Sequence, residues 1–210
     1  MLIGAHLRPD DALVEGADRM DAAGLTLSAI AIGERDNLAA REVVARAAAV
    51  RQELARREIF VAIRYGATAR DAAEAERKVA PHLARWKALL ERWRGHAELT
   101  LRIGGGPRTP RPDRTAFTFG AEYLRALRHS REVAPEVAAF AEKSAARLRE
   151  LAADLRTIRR EDGSIEIALL VPRDRIDDAK GVAQSLKEAP GSVPFLLSGP
   201  WPLEVFADES

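Results

Sequence analysis

Apolar residues in the first half of the chain alternate between a spacing of two, typical of strands, and a spacing of three or four, typical of helices. Strands are predicted at residues 2–7, 25–32, 59–63 and 97–103. Between the second and third of them a helix is predicted, with Asn37 as its N-cap. Four apolar residues repeat at helical spacing in it, so this stripe is expected to face a core: Val43, Ala47, Val50 and Leu54.

A second, longer helix is predicted before the strand at 97–103. One face carries Val79, Leu83, Trp86, Leu90 and Trp93. Both tryptophans lie on this apolar stripe, so we expect them in the core. Pro81 either kinks the helix or marks its start, because proline disrupts a helix interior. Gly95 is expected to close the helix.

The second half of the chain repeats the mixture of helices and strands. An almost pure heptad spacing predicts one long helix that could pair like a coiled coil, with apolar positions interrupted by one serine: Val133, Val137, Phe140, Ser144, Leu148, Leu151 and Leu155. Asp162 and Gly163 predict a hairpin turn, with one strand before it and one after it. A further helix over 176–186 and a last strand at 193–197 complete this half.

These elements predict an α+β protein of two domains. Residues 104–114 (GGGPRTPRPDR) combine glycine, proline and arginine in a composition that suits a linker. We therefore expect an N-terminal domain at 1–105, a linker at 106–116 and a C-terminal domain at 117–210. Each half is expected to form a small sheet covered on one face by helices, a ferredoxin-like arrangement, with a long coiled-coil-like helix in the second.

Composition excludes several classes of partner and chemistry. Thirty-three basic and 32 acidic residues give a net charge of +1, so no global field attracts nucleic acid or a membrane surface, and neither partner is expected. The absence of cysteine removes disulfides and thiolate nucleophiles, and the N-terminal residues do not resemble a signal peptide. We expect a protein of the reducing cytoplasm.

No constellation of residues points to a catalytic site, a metal site or a cofactor. The four histidines belong to no metal motif, and GGGP at 104–107 lacks the sequence of a phosphate loop. His96 and Glu98 alternate on one predicted strand face, which suits two metal ligands or, more simply, an exposed pair at a sheet edge. The arginines of residues 102–114 lack interleaved aromatic residues and suit solvated linker charge, with an acidic partner surface as the alternative.

The C-terminal segment 197–206 (LSGPWPLEVF) is unusually rigid. Two prolines restrict the backbone on both sides of Trp201. The segment is expected to end the last strand and to seat Trp201 against the protein, or to present it to a partner.

Five blocks in order resemble the GvpL/GvpF family of gas vesicle proteins. They are VAIRYG at 61–66, RGHAELTLRI at 94–103, GAEYLRAL at 120–127, IEIALLVPR at 165–173 and LSGPWPLEVF at 197–206. The resemblance covers most of the chain, but it is looser in the first 30 residues. Family members commonly end in Pro-Tyr-Ser-Phe, of which this chain keeps only Phe206.

The resemblance implies a non-enzymatic accessory protein with a modified ferredoxin-like N-terminal domain and a C-terminal domain built around long helices. It implies a role in assembling gas vesicles, the hollow protein-walled compartments that make some microbes buoyant, and location in the cytoplasm at the gas vesicle. The implied partners are the shell subunit and other accessory proteins, and a homo-oligomer is left open. The expected partner-binding residues are those of the matched blocks: Arg64, Tyr65, Gly66, Tyr123, Leu124, Gly199, Pro200, Trp201, Pro202 and Phe206.

Two other functions remain open from the residues alone. Ferredoxin-like domains often bind ligands between helices and sheet, so a non-catalytic ligand-binding or regulatory module is the main alternative. A metalloenzyme using His96 and Glu98 is the third, and it rests on two residues.

Overall fold

The computed structural model describes residues 1–7, 14–33, 36–104, 113–129 and 133–207. Contacts divide the chain into two compact units: unit 1 contains Met1–Glu98 and Gly199–Ser210, and unit 2 contains Leu99–Ser198. The predicted linker at 106–116 lies mostly outside the described residues, so the predicted domain limits stay a prediction. The assignment of the last residues to unit 1 was not foreseen from the sequence.

Unit 1 combines a four-stranded sheet with three helices. The strands are β1 (Leu2–His6), β2 (Asp18–Ala22), β3 (Leu25–Ala29) and β4 (Val61–Ala62), and the helices are α1 (Arg41–Arg57), α2 (Ala72–Val79) and α3 (Leu83–Arg92). The sheet order is β2-β3-β1-β4, with antiparallel pairing of β1 with β3 and β4 and of β2 with β3. Strand β2 was missed in the sequence because it is a largely polar, partly exposed edge strand without an alternating apolar pattern.

Helix α1 confirms the predicted apolar stripe but not its predicted cap. All four stripe residues are buried, and they belong to one cluster with Ile3 and Phe60. The helix begins at Arg41 with Ala40 as its N-cap, and no side chain caps it. The Asn37 side chain instead accepts a hydrogen bond of 2.9 Å from the Ala39 N–H. The prediction of Asn37 as N-cap is therefore wrong, because its oxygen stabilises the turn that precedes the helix.

The predicted long helix before the fourth predicted strand is two helices. Helix α2 ends at Val79, a single 3-10 turn covers Ala80–His82, and α3 starts at Leu83. Pro81 lies in that turn, where its missing N–H costs least. The start of α2 is capped by Asp71, whose carboxylate accepts a hydrogen bond of 2.7 Å from the Glu74 N–H.

Unit 2 also combines one sheet with three helices. Strand β5 (His96–Ile103) leads into it, followed by α4 (Gly120–His129), α5 (Pro135–Arg149), β6 (Asp154–Arg159), β7 (Ile165–Pro172), α6 (Ile176–Glu188) and β8 (Phe195–Trp201). The sheet order is β6-β7-β5-β8. The predicted hairpin is confirmed, because β6 and β7 pair antiparallel from Asp154 opposite Leu170 to Arg159 opposite Ile165. Both units thus give a mixed α+β architecture.

The heptad pattern in the second half does not describe one long helix. Helix α5 ends at Arg149, and Leu155 lies in strand β6. The heptad residues belong to the core of unit 2, either in it or packed against it. The buried Ser144 hydroxyl donates a hydrogen bond of 2.7 Å to the Phe140 carbonyl, so the polar position is satisfied within its own helix. The long coiled-coil-like helix is therefore a wrong prediction, since the sheet of unit 2 covers the apolar stripe.

Strand β1 contains a glycine whose missing side chain makes room for a core aromatic. A Cβ atom at Gly4 would lie 2.3 Å from Cδ2 of Phe60 and 2.9 Å from the Val61 carbonyl oxygen. We expect Gly4→Ala to lower the free energy of unfolding by about 2 kcal/mol, because the ring or the strand must shift. Urea denaturation followed by far-UV circular dichroism, which reports on the helices and strands of both units, measures this. Gly181→Ala in α6 is the control: a Cβ there meets nothing within 4 Å, so no loss is expected.

Candidate functional site

A groove on unit 1, with a volume of about 400 Å³, contains two of the predicted partner-binding residues, Arg64 and Tyr65. Its lining comes from α1, the segment 61–65, the 3-10 turn and the start of α3, and the C-terminal tail: Arg51, Val61, Ala62, Ile63, Arg64, Tyr65, His82, Arg85, Trp86, Leu203, Glu204 and Ala207. Arg64 and Tyr65 of the VAIRYG block therefore share one concave surface with residues of the C-terminal block. No helix in the described part of the chain is long and apolar enough to cross a membrane.

Backbone hydrogen bonds hold the segment after β4 in place. The Ile63 N–H donates to the Ile3 carbonyl at 3.0 Å, and the Ala67 N–H donates to the Arg64 carbonyl at 3.2 Å. Gly66 has a φ of 89°, in the left-handed region that favours glycine, so the chain turns there. The turn leaves Arg64 and Tyr65 exposed. Because hydrogen bonds hold its backbone, the turn loses little conformational freedom when a partner binds.

Three arginine side chains line the groove. Arg51 donates a hydrogen bond to the Ile63 carbonyl, and Arg85 donates one to the Ala207 carbonyl. The Nε of Arg51 is buried without an acceptor among the described residues. Arg64 is exposed, and within the described ranges no carboxylate forms an ion pair with it. Among the described residues that line the groove, Glu204 is the acidic one.

Two aromatic side chains form part of the walls. The Trp86 ring stacks on the His82 ring with their centroids 5.3 Å apart, and Trp86 is only half-buried. The expectation that it lies in the core is therefore wrong, whereas Trp93 is buried as expected. The Tyr65 hydroxyl donates a hydrogen bond of 2.6 Å to the Leu38 carbonyl, while 38% of the residue stays exposed. The groove thus offers ring surface next to guanidinium groups.

The C-terminal tail is attached to the sheet as one wall of the groove. The Leu203 N–H donates to the Phe60 carbonyl at 2.8 Å, and Leu203 forms a parallel bridge with Val61 of β4. Leu203 and Phe206 are buried, at 1% and 0% exposure. The tail therefore covers part of the outer edge of β4, which would otherwise be an open sheet edge.

A buried carboxylate holds the end of this tail. Glu98 is 2% exposed, and its two oxygens accept hydrogen bonds from the N–H groups of Glu204 at 3.1 Å and Val205 at 3.3 Å. Burial raises the pKa of Glu98 to about 7, although backbone hydrogen bonds from residues 204–206 oppose that rise. The prediction of an exposed pair with His96 is wrong, because Glu98 is occupied by the tail.

His96 takes no part in holding the tail. It is half-buried, and its ring lies edge-on to Trp93 at a centroid distance of 5.7 Å. Among the described residues, no group of three or more histidine, cysteine, aspartate or glutamate side chains is placed to hold a metal ion.

The structure leaves Trp201 partly exposed, whereas the sequence left open whether it is seated against the protein or presented to a partner. Trp201 ends β8 and is 38% exposed, whereas Pro202 and Phe206 are buried. The Gly199–Pro200 peptide bond is cis. The aromatic residue that closes the core of unit 1 is thus Phe206, four residues before the end of the chain.

The remaining two predicted residues belong to unit 2. Tyr123 on α4 makes an edge-to-face contact with Phe117 at a centroid distance of 5.9 Å. Leu124 is 62% exposed and Phe119, just before the helix, is 66% exposed. These side chains give unit 2 exposed apolar surface of its own.

Three polar side chains in unit 1 are linked in the order of the serine–histidine–acid triad of hydrolases: Ser28, His6 and Glu58. His6 Nε2 lies 3.0 Å from the Ser28 hydroxyl, and His6 Nδ1 lies 2.8 Å from a Glu58 carboxylate oxygen. Ser28 and His6 are only 2% and 3% exposed. A nucleophilic serine must be accessible to its substrate, and Ser28 is buried. This network therefore fits a structural role, in which it links β1, β3 and the end of α1.

Comparisons with family models and solved structures identify relatives of this chain. The family model described as gas vesicle synthesis protein GvpL/GvpF matches residues 20–207. A search of curated proteins gives no match. The fold is similar to the crystal structure of gas vesicle protein GvpF from Microcystis aeruginosa, with a TM-score of 0.73 at 13% identity, covering 99% of this chain and 98% of that one.

A second solved structure has the same fold. The gas vesicle protein GvpF from Anabaena sp. PCC7120 aligns with a TM-score of 0.63 at 14% identity, covering 100% of this chain and 95% of that one. The family match covers nearly the whole chain, and it implies a role in gas vesicle formation. The chain belongs to the GvpL/GvpF family of gas vesicle synthesis proteins.

Proposed function

We propose that this protein is a non-enzymatic assembly factor that binds the gas vesicle shell subunit and other accessory proteins while vesicles form. The observation that carries the proposal is the groove of unit 1, where Arg64 and Tyr65 share one concave surface with the C-terminal tail. Both blocks also carry the resemblance to the family. Arginine and aromatic residues in one concavity are the residue types that dominate the energy of protein interfaces.

The architecture supports this proposal. Unit 2 runs β5-α4-α5-β6-β7-α6-β8 with the sheet order β6-β7-β5-β8, which we interpret as a ferredoxin-like arrangement with one additional helix. In unit 1 the groove lies at the edge strand β4, and hydrogen bonds hold both the turn and the tail beside it. A rigid surface of this kind loses little conformational entropy when a partner docks.

The test is co-purification from cells that express the tagged protein with the shell subunit and the accessory proteins of its own gene cluster. We expect mass spectrometry to recover the shell subunit with the wild-type protein. Trp86→Ala is expected to reduce recovery at least about tenfold, because it removes an aromatic wall of the groove. Lys87→Ala is the matched control, since its side chain is exposed on the same helix outside the groove.

Two outcomes would count against the proposal. Recovery of no gas vesicle protein by the wild type, with all partners expressed and soluble, contradicts the assembly role. Equal recovery by the folded Trp86→Ala variant contradicts the groove as the docking surface. Trp201→Ala then tests the exposed end of β8 as the alternative surface.

A further inference from the structure

The C-terminal tail, residues 203–207, contacts unit 1 as an added strand. Leu203 forms a parallel bridge with Val61 of β4, and its N–H donates a hydrogen bond of 2.8 Å to the Phe60 carbonyl. Addition of an extended segment to the edge of a sheet is a common way in which proteins bind a separate peptide. This contact therefore does not require the tail and β4 to belong to the same copy of the chain.

The other contacts of the tail are equally independent of chain connection. The Glu98 carboxylate accepts hydrogen bonds from the N–H groups of Glu204 and Val205, so it recognises the backbone of the tail. Leu203 and Phe206 supply two apolar anchors, which are 1% and 0% exposed. The same segment of a second copy carries the same groups at the same spacing, and it can make every one of these contacts.

A short connection joins the tail to β8. The strand ends at Trp201, and Pro202 alone separates it from Leu203. Pro200 and Pro202 fix their own φ angles and keep the residues before them in extended geometry. A short and stiff connection limits how closely a segment can fold back on its own chain, so it favours exchange of that segment between two copies.

Trp201 lies at this connection with 38% of the residue exposed. In a pair of copies that exchange their tails, each tail leaves its own chain at this point, so the two connections run close to each other. A second copy would cover ring surface that a single chain leaves in solvent, and tryptophan is among the residues that contribute most to interfaces. A second copy thus accounts for the exposure of Trp201 as well as for the form of the tail contacts.

We propose that two copies of this chain exchange their C-terminal tails, so that residues 203–207 of each copy occupy β4 and Glu98 of the other. The dimer is two-fold symmetric, because both copies use the same surfaces. The tail contacts are the same in one chain and in the dimer, so the balance depends on protein concentration, on the connection and on the surface that Trp201 buries. This inference goes beyond the proposed function and needs no other protein.

Light scattering coupled to size-exclusion chromatography of the full chain tests the dimer over a range of protein concentrations. We expect the molar mass to rise with concentration towards twice that of one chain. Trp201→Ala is expected to raise the dimer Kd at least about tenfold, because it removes the ring that the second copy covers. Phe119→Ala is the control: it removes an exposed aromatic ring of unit 2 and should leave the Kd unchanged.

Cysteine cross-linking shows which copy supplies the tail. The chain contains no cysteine, so Val61→Cys and Leu203→Cys each introduce a single thiol. Neighbouring strands lie about 4.8 Å apart, within the Cα separation that a disulfide spans. The two variants are mixed under reducing conditions and then oxidised, and we expect a covalent heterodimer on a non-reducing gel. In the control mixture Val44→Cys, exposed on α1, replaces Val61→Cys, and no heterodimer is expected.

Each measurement can overturn the proposal. A single chain at every concentration contradicts the dimer, and this result does not depend on any variant. A dimer in which Val61→Cys and Leu203→Cys cross-link no more than the control pair meets through another surface, which rules out tail exchange. An unchanged Kd for Trp201→Ala removes the connection from the interface and also contradicts the proposal. Recovery of the shell subunit from cells is a separate result, so either proposal can fail while the other stands.

Discussion

Replacement of Phe206 with alanine is expected to lower the free energy of unfolding of unit 1 by about 4 kcal/mol, because it empties the space of a fully buried aromatic ring. The same tail is held by hydrogen bonds from the Leu203 N–H to the Phe60 carbonyl and from the Val205 N–H to the Glu98 carboxylate. Loss of the ring is expected to weaken these bonds as well. Loss of the ring should therefore loosen the wall of the groove as well as the core.

Tryptophan fluorescence during urea denaturation measures this change in unit 1. The chain has three tryptophans, and Trp86, Trp93 and Trp201 all belong to that unit. Trp201→Ala is the matched comparison, five residues away in the same segment. Its side chain is 38% exposed, so we expect a smaller loss, about 1 kcal/mol. Equal losses in the two variants would contradict the burial of Phe206 and restore Trp201 as the residue that closes the core.

The stability of unit 1 is expected to fall by about 3 kcal/mol through Glu98 as pH rises from about 4.5 to about 7. Burial raises the pKa of this carboxyl from 4.5 to about 7 in the folded protein. Between these two values the folded state therefore binds more protons than the unfolded state. The contribution is complete below pH 4.5 and is lost above pH 7, where the buried group must ionise.

The measurement is the free energy of unfolding of wild type and Glu98→Gln at intervals from pH 5 to pH 8. The difference between the two proteins isolates Glu98, because other ionisable groups cancel. Glu74, for example, has its pKa lowered to about 2 by hydrogen bonds from Arg70 and Lys78, and it does not titrate in this range. We expect Glu98→Gln to be less stable than wild type at pH 5 and to lose that disadvantage by pH 8. A pH-independent difference would contradict the raised pKa.

The apolar periodicity was sufficient to identify most helices and strands. The stripe on α1 and the hairpin of β6 and β7 follow from local spacing, and both are confirmed. The family was also recognisable from ordered blocks, because the residues around tight turns and strand ends are local features. Pro81 was recognised as a position where the helix either kinks or starts, since its chemistry acts on its own turn.

Local patterns failed where long-range contacts decide the outcome. The heptad spacing after Val133 was continued beyond Arg149, where the chain instead forms β6 and pairs with β7. The alternation of His96 and Glu98 indicated a shared face, but whether that face is exposed depends on residues 204–206, more than 100 positions later.

The sequence by itself determined the α+β class, the apolar stripes and the family, because each depends on residue type and short spacing. Only the tertiary structure decided that Phe206, rather than Trp201, closes the core, and that Arg51, Arg64 and Arg85 meet in one groove. The return of the C-terminal tail to β4 places Leu203 and Glu204 beside these arginines. Pairing between segments so far apart in the chain leaves no periodic signal, since its free energy arises from burial and hydrogen bonds made only in the folded state.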